Sequence, residues 1–216
     1  LDNMEVNDII QIISLSLIVT TTATMIAMII AIVLSIVIYL KNFRFKKYII
    51  TFVNALMSTP PVIMGLLVFL MLSRQGPLGE FKLLFTPVAM IIAQAMLLIP
   101  MAMSLIIDLL NKFGGDILTT CKVLQIEDKN IPKIFLKEIK YHLLTVCITT
   151  FSRGISEVGA VMLVGGNIKG LTRVMTTYIA LSTSMGDFDE SLVIAFILLT
   201  ISTISTIIIK KLQSVI

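Results

Sequence analysis

The run Ile9–Leu40, IIQIISLSLIVTTTATMIAMIIAIVLSIVIYL, holds 32 residues without a charge, a glycine or a proline. At 1.5 Å per residue it makes a helix of about 48 Å, longer than the roughly 30 Å hydrocarbon core of a bilayer. A helix of that length and apolarity crosses a membrane, tilted or protruding. The rest of the chain agrees. Of 216 residues, 57% are hydrophobic and 14% charged, where an ordinary soluble domain carries roughly a quarter charged residues. One soluble core of this size cannot hide so much apolar surface, and a disordered chain has the opposite composition. The 17 Lys and Arg against 13 Asp and Glu are too balanced and too scattered for a nucleic-acid-binding face.

Four more apolar runs follow, at 49–72, 87–107, 141–164 and 191–209, giving an all-α protein of five transmembrane helices in one domain, 9–209. Basic residues orient it. The segments after the odd-numbered spans carry Lys41, Arg44, Lys46 and Lys47, then six lysines from Lys112 to Lys140, then Lys210 and Lys211. The other side has Arg74, Lys82, Lys169 and Arg173. The excess of positive charge marks the cytosolic side, so the N-terminus is expected outside and the C-terminus in the cytosol, with the acidic Asp2, Glu5 and Asp8 external. The start, LDNMEVND, has no basic region of the signal-peptide kind, so the first run is expected to be a retained span.

Prolines mark irregularities. Pro60 and Pro61 fall mid-way along the second run and Pro100 within the third. Each removes a backbone donor and clashes with the preceding turn, so kinks or short unwound stretches are expected there. They serve either packing or a pathway, since irregular backbone at membrane depth survives only inside protein or along a wet cavity. The halves of the chain do not match one another, against the expectation for an inverted-repeat carrier.

The expected cytosolic segment, 108–140, contains Gly114-Gly115, read as a helix break, and Asp116, read as the cap of a new helix. Asp128 is read as the cap of a short helix near Ile131-Pro132. In that helix Ile131, Ile134 and Phe135 share one face and Lys129, Lys133 and Lys137 another. The apolar face either enters a partner's groove or rests on the membrane or bundle.

Arg153-Gly154-Ile155-Ser156-Glu157-Val158-Gly159-Ala160 puts two charges inside the fourth run. A charge at membrane depth costs about 2.5–3.5 kcal/mol or more. Four residues apart on one helix face, Arg153 and Glu157 can pair and offset part of that cost. They face protein or a wet cavity, either as a packing pair or as part of a gate. Gly154, Gly159 and Ala160 allow another helix to come close. After them, Gly165-Gly166-Asn167-Ile168-Lys169-Gly170-Leu171-Thr172-Arg173 opens the expected external loop, 165–190, and offers a weak signal for an anion nest of backbone N–H groups.

No GxxxxGK[ST] loop is present, so ATP is not bound in that manner by this chain. Cys121 and Cys147 have neither disulfide nor metal spacing. His142, the single histidine, is read as a packing or interfacial residue, and neither a metal cluster nor a nucleophilic triad is visible.

The run RGISEVGAVMLVGGNIKGLTRVMTTYIAL, Arg153–Leu181, resembles the permease subunits of tungstate ABC importers, whose relatives are the molybdate permeases. Ser58–Phe81 and Leu83–Pro100 resemble the same family, and the likeness extends from about Ser16 to the C-terminus. Type I ABC permeases carry an EAAxxLG loop that docks on the ATPase. The corresponding stretch here is Thr119-Thr120-Cys121-Lys122-Val123-Leu124-Gln125, which keeps the leucine and replaces the acid, both alanines and the glycine.

The resemblance implies a type I permease fold with a cytosolic coupling helix. It implies a homodimeric pathway in the cell membrane, two ABC ATPase subunits holding ATP and Mg, and an extracytoplasmic oxyanion-binding protein. This chain itself would be no enzyme, with no cofactor, metal or nucleic acid of its own, and membrane lipid around it. The candidate gate is then Arg153, Gly154, Ser156, Glu157 and Gly159. The external candidates are Gly165, Gly166, Asn167 and Arg173. The ATPase-coupling candidates are Leu124, Gln125, Asp128, Ile131, Ile134 and Phe135. Tungstate is the expected cargo, with molybdate or sulfate as alternatives. A stand-alone carrier is disfavoured because the spans hold one clear acid, Glu157, with Asp108 at an edge; a purely structural membrane subunit is the third class.

Overall fold

A computed structural model describes residues 6–41 and 43–214; the acidic Asp2 and Glu5 lie outside the described residues. Nine α-helices account for most of the described chain. Three are long and apolar enough to cross a membrane: α1 (Val6–Leu40), α4 (Pro87–Val123) and α9 (Phe188–Gln213). Two further crossings are available only if each of two bent pairs counts as one. These pairs are α2 (Lys46–Met57) with α3 (Pro61–Leu72), bent by 99°, and α6 (Lys140–Ile155) with α7 (Gly159–Gly165), bent by 59°. Two short helices complete the set: α5 (Ile131–Glu138), preceded by a 3-10 turn at Asp128–Asn130, and α8 (Met175–Met185).

Small side chains hold the centre together. Along α1 the buried positions include Ser16, Thr20, Ala23, Thr24, Ala27, Ala31 and Ser35, a stripe at helical spacing. It meets Ala95, Leu98 and Ala102 of α4. Lipid tails are as apolar as leucine, so membrane helices gain most from close packing of small residues. Outward, α9 exposes Leu192, Phe196, Leu199, Ile204 and Ile207, the polarity expected of a surface solvated by lipid.

The expected proline break at 60–61 is present and sharper than a kink. Pro61 occupies the first turn of α3 and Pro60 precedes it in an extended conformation. That is a position where the missing N–H costs nothing, so the pair begins a new helix. Pro100 does not interrupt α4, which runs through it, buried.

Several expectations fail. Gly114-Gly115 does not break a helix and Asp116 caps nothing: α4 continues to Val123. A Cβ at Gly114 would lie 2.5 Å from Cζ of Tyr39, so this glycine makes room for a neighbouring ring. Asp128 lies inside the 3-10 turn, and α5 starts from Asn130 with no side-chain cap. The fourth run is not one helix. The expected loop 165–190 contains α8, whose Met175 and Tyr178 pack with Ile12, Ile155 and Ile194.

Contacts join element ends at two separate places. Lys169 pairs with Asp8 and Gln11 donates to Gly170 O, joining the start of α1 to the 165–174 segment. At the opposite end of α1, Tyr39 meets Phe135 of α5.

Candidate functional site

Helix α6 stops at Ile155 and α7 begins at Gly159. Glu157, in the gap, ties the two halves. Its N–H donates to Gly154 O at 3.0 Å. Its Oε1 accepts from Ala160 N–H at 3.3 Å and its Oε2 from Arg153 Nη1 at 3.1 Å. A carboxylate is well placed at the start of a helix, where backbone N–H groups lack partners. The Glu157 side chain is 3% exposed and that of Arg153 is 41% exposed. Thus the acid is built into the protein while the guanidinium reaches the surface of the single chain. Arginine has five N–H donors, and Glu157 receives one of them, leaving donors on the exposed side for an anion. Ser156, also exposed, turns its hydroxyl back onto Arg153 O and Ser152 O.

The break in α2–α3 lies against this one. A Cβ at Gly159 would sit 2.7 Å from Val62 Cγ2, and one at Gly65 2.6 Å from Cα of Ala160. The second halves, α3 and α7, therefore pack backbone to backbone, and Ser58 and Pro60 at one break and Ser156 and Val158 at the other are exposed. Interrupted helices leave backbone groups that need protein or water partners.

Three residues behind the site carried no motif. Gln94 of α4 donates Nε2 to Gly154 O at 2.8 Å, Thr176 donates to Glu157 O at 2.8 Å, and Ser16 accepts from Met175 N–H at 2.8 Å. Gln94 Oε1 is buried without a hydrogen-bond partner among the described residues, beside a small cavity that Thr20, Glu157 and Thr176 also line. A lone amide in VAMIIAQAMLLIP was the available signal: a polar side chain in a span requires a partner.

The other candidates lie elsewhere. Pro100 sits further along α4. Gly165 ends α7, and Gly166 and Asn167 follow it in a tightly bonded turn in which Gly166, Ile168, Leu171, Thr172 and Arg173 donate their N–H groups internally. Those donors do not form an open anion nest. Arg173 lies 5.7 Å from the Tyr178 ring centroid, and Tyr178 donates to Glu190. Burial first, then the Glu190 hydrogen bond, pushes the Tyr178 hydroxyl above its ordinary value. At the opposite end Leu124, Gln125 and Asp128 are exposed, Ile131 and Ile134 half-buried, and Phe135 fully buried. His142 stacks on Phe113 with centroids 4.6 Å apart, a packing residue as expected.

Residues 23–215 match the family described as the binding-protein-dependent transport system inner membrane component. The chain belongs to that family. The permease is 45% identical, over 94% of its length and 89% of the relative's, to the tungstate uptake system permease protein of Peptoclostridium acidaminophilum. It is 33% identical to the protein of the same description from Campylobacter jejuni, over 80% of its own length and 72% of the relative's. A probable anion ABC transporter permease protein of Haloferax volcanii is 31% identical over 93% and 89%. The family expected from the Arg153–Leu181 run is the family found. The permease is a multi-pass membrane component of an ABC transport system, acting with ATPase and substrate-binding partners.

Proposed function

We propose that the chain is the membrane-spanning subunit of an ATP-driven importer for tungstate, moved by alternating access through a homodimer. The observation that carries this is the junction of two broken spans: a guanidinium held by a buried carboxylate and left open on one face, in a chain 45% identical to a tungstate uptake permease. Five spans are formed by α1, α2–α3, α4, α6–α7 and α9, with the N-terminus outside and the C-terminus in the cytosol, as the basic residues favour. Arg153, Gly154, Ser156, Glu157 and Gly159 form one half of the gate and Pro60 and Pro61 shape its neighbour. Two copies face each other across a two-fold axis, since one chain offers too few helices to enclose a path.

The end of α4, where Leu124 is 64% exposed, together with Gln125, Asp128, Ile131 and Ile134, faces the ATPase. Two ATPase subunits bind ATP and Mg; this chain supplies no catalytic group. An extracytoplasmic protein delivers the oxyanion to the side carrying α8, where Gly165, Gly166, Asn167 and Arg173 lie. The test is elemental analysis of cells with and without the gene, fed trace tungstate, molybdate and sulfate in competition. Loss of tungsten uptake alone, restored by the intact gene, is the expected result. Loss of molybdenum or sulfur uptake instead replaces the substrate, and unchanged uptake in a strain without a second importer overturns the reading.

A further inference from the structure

We infer that Tyr39 is the positioning residue that carries movement of α5 into the long helices α1 and α4, an inference that rests on the ATPase-facing role proposed above. Three other elements converge on its ring. Phe135, fully buried, meets it edge-on, with centroids 5.7 Å apart and planes at 62°. On α4, the missing side chain of Gly114 makes the space its ring occupies. Lys46, the first residue of α2, lies 5.3 Å from the ring centroid and donates to Tyr39 O at 2.7 Å.

The glycine pair supports a specific fit. A Cβ at Gly115 would meet nothing within 4 Å, while one at Gly114 would collide with the Tyr39 ring. Glycine inside a helix costs roughly 1 kcal/mol against alanine, and only at Gly114 does the close approach of a ring offset that cost.

The rest of α5 explains why this contact transmits force. Lys133, Leu136, Lys137 and Glu138 are exposed, and Phe135 is the one fully buried residue of the helix. A partner pushing on the exposed face moves α5 about this anchor. The ring then displaces the end of α1 and bears on α4, the helix that reaches Gly154 through Gln94. The chain also passes from α5 to α6 through Ile139 alone, so α6 follows α5 covalently. Tyr39 keeps α1 and α4 in step with it.

The test uses the complete complex of permease, ATPase and binding protein in liposomes. A single reporter cysteine, Ser58→Cys, is placed in a Cys121→Ser, Cys147→Ser background. Two quantities are measured: ATP hydrolysed per anion delivered, and the change in thiol labelling of the reporter when nucleotide binds. Tyr39→Ala is expected to raise the first by about fivefold, the factor set by one aromatic edge contact, and to abolish the second. Tyr39→Phe keeps the ring and retains both wild-type values. Gly114→Ala, which removes no side chain and displaces the ring, uncouples in the same direction, and it decides alone if Tyr39→Ala does not assemble. Wild-type ratios and labelling in an assembled Tyr39→Ala or Gly114→Ala complex overturn the inference. The labelling needs no anion. A complex that responds to nucleotide but fails to move tungstate therefore removes the substrate reading and leaves the Tyr39 link standing.

Discussion

The guanidinium of Arg153 and the carboxylate of Glu157 meet across the end of a helix, Nη1 to Oε2 at 3.1 Å, with the acid buried and the base half exposed. The same carboxylate receives the N–H of Ala160, so one side chain both holds the cation and starts the next helix. Glu157→Gln keeps the shape and one acceptor oxygen, puts an NH2 donor in place of the other, and removes the charge that balances Arg153. The complex is expected to assemble, to hold the anion more tightly at the gate, and to turn over about tenfold more slowly, equivalent to about 1.4 kcal/mol. Radiotracer or elemental uptake in liposomes checks it. Unchanged uptake with unchanged assembly would remove Glu157 from the gate.

Close approach of α3 and α7 gives a sharp packing test. A Cβ on Gly65 would lie 2.6 Å from Cα of Ala160, a backbone atom that cannot rotate away. Gly65→Ala is expected to destabilise the solubilised protein by about 1–3 kcal/mol, the usual cost of overpacking. Gly115→Ala, in open helical surroundings, is expected to be neutral or stabilising by up to about 1 kcal/mol. Thermal unfolding in one detergent compares them. Equal melting temperatures for the two variants would mean that α3 and α7 are not in contact.

The sequence made the membrane class, the apolar runs and the Arg153–Glu157 pair legible, because hydropathy and an i, i+4 spacing are local properties. Local rules also account for the errors. Gly114-Gly115 carries a helix-breaking signature, and its actual cause, Tyr39, lies 75 residues earlier in the chain. Pro60-Pro61 marks a kink or a short unwound stretch, and the break is there; that it goes on to start a second helix depends on what receives that helix, here α7 through Gly65. The helix α8, MTTYIALSTSM, has no strong helical period and is fixed by burial of Met175, Thr177 and Tyr178. Gln94 announced that it needed a partner without saying that Gly154 O was the partner.

Gln125, which the resemblance sets at the glycine of the docking loop, has φ 50°, in the left-handed region. An L-residue there costs about 1–2 kcal/mol that glycine avoids. Part of that gain is lost to the greater entropy of glycine in the unfolded chain. Gln125→Gly is therefore expected to raise stability by roughly 0.5–1 kcal/mol while the complex with the ATPase still forms. Melting temperature and co-purification of the ATPase check it. A destabilised Gln125→Gly would mean that the side chain contributes more than its backbone strain costs.

Two polar residues of the 165–174 segment, close in sequence, are expected to differ because their surroundings differ. Lys169 pairs with Asp8 at 3.0 Å, but its side chain is 61% exposed. Exposed ion pairs contribute about 0–1 kcal/mol, so Lys169→Ala is expected to leave the melting temperature nearly unchanged. Thr172 is fully buried and its hydroxyl serves both partners of a turn, donating to Gly165 O at 2.5 Å and accepting from Ile168 N–H at 3.0 Å. Thr172→Val keeps the shape and leaves the part-buried Ile168 N–H and the buried Gly165 O each one partner short, at a cost of about 1–3 kcal/mol for a buried group left unsatisfied. The loss falls at the end of α7, the half-helix that Glu157 begins. Thr172→Val is therefore expected to lower uptake as well as melting temperature, whereas Lys169→Ala lowers neither. If the two substitutions shift the melting temperature alike, the turn is not held by Thr172 and α7 is not anchored at that end.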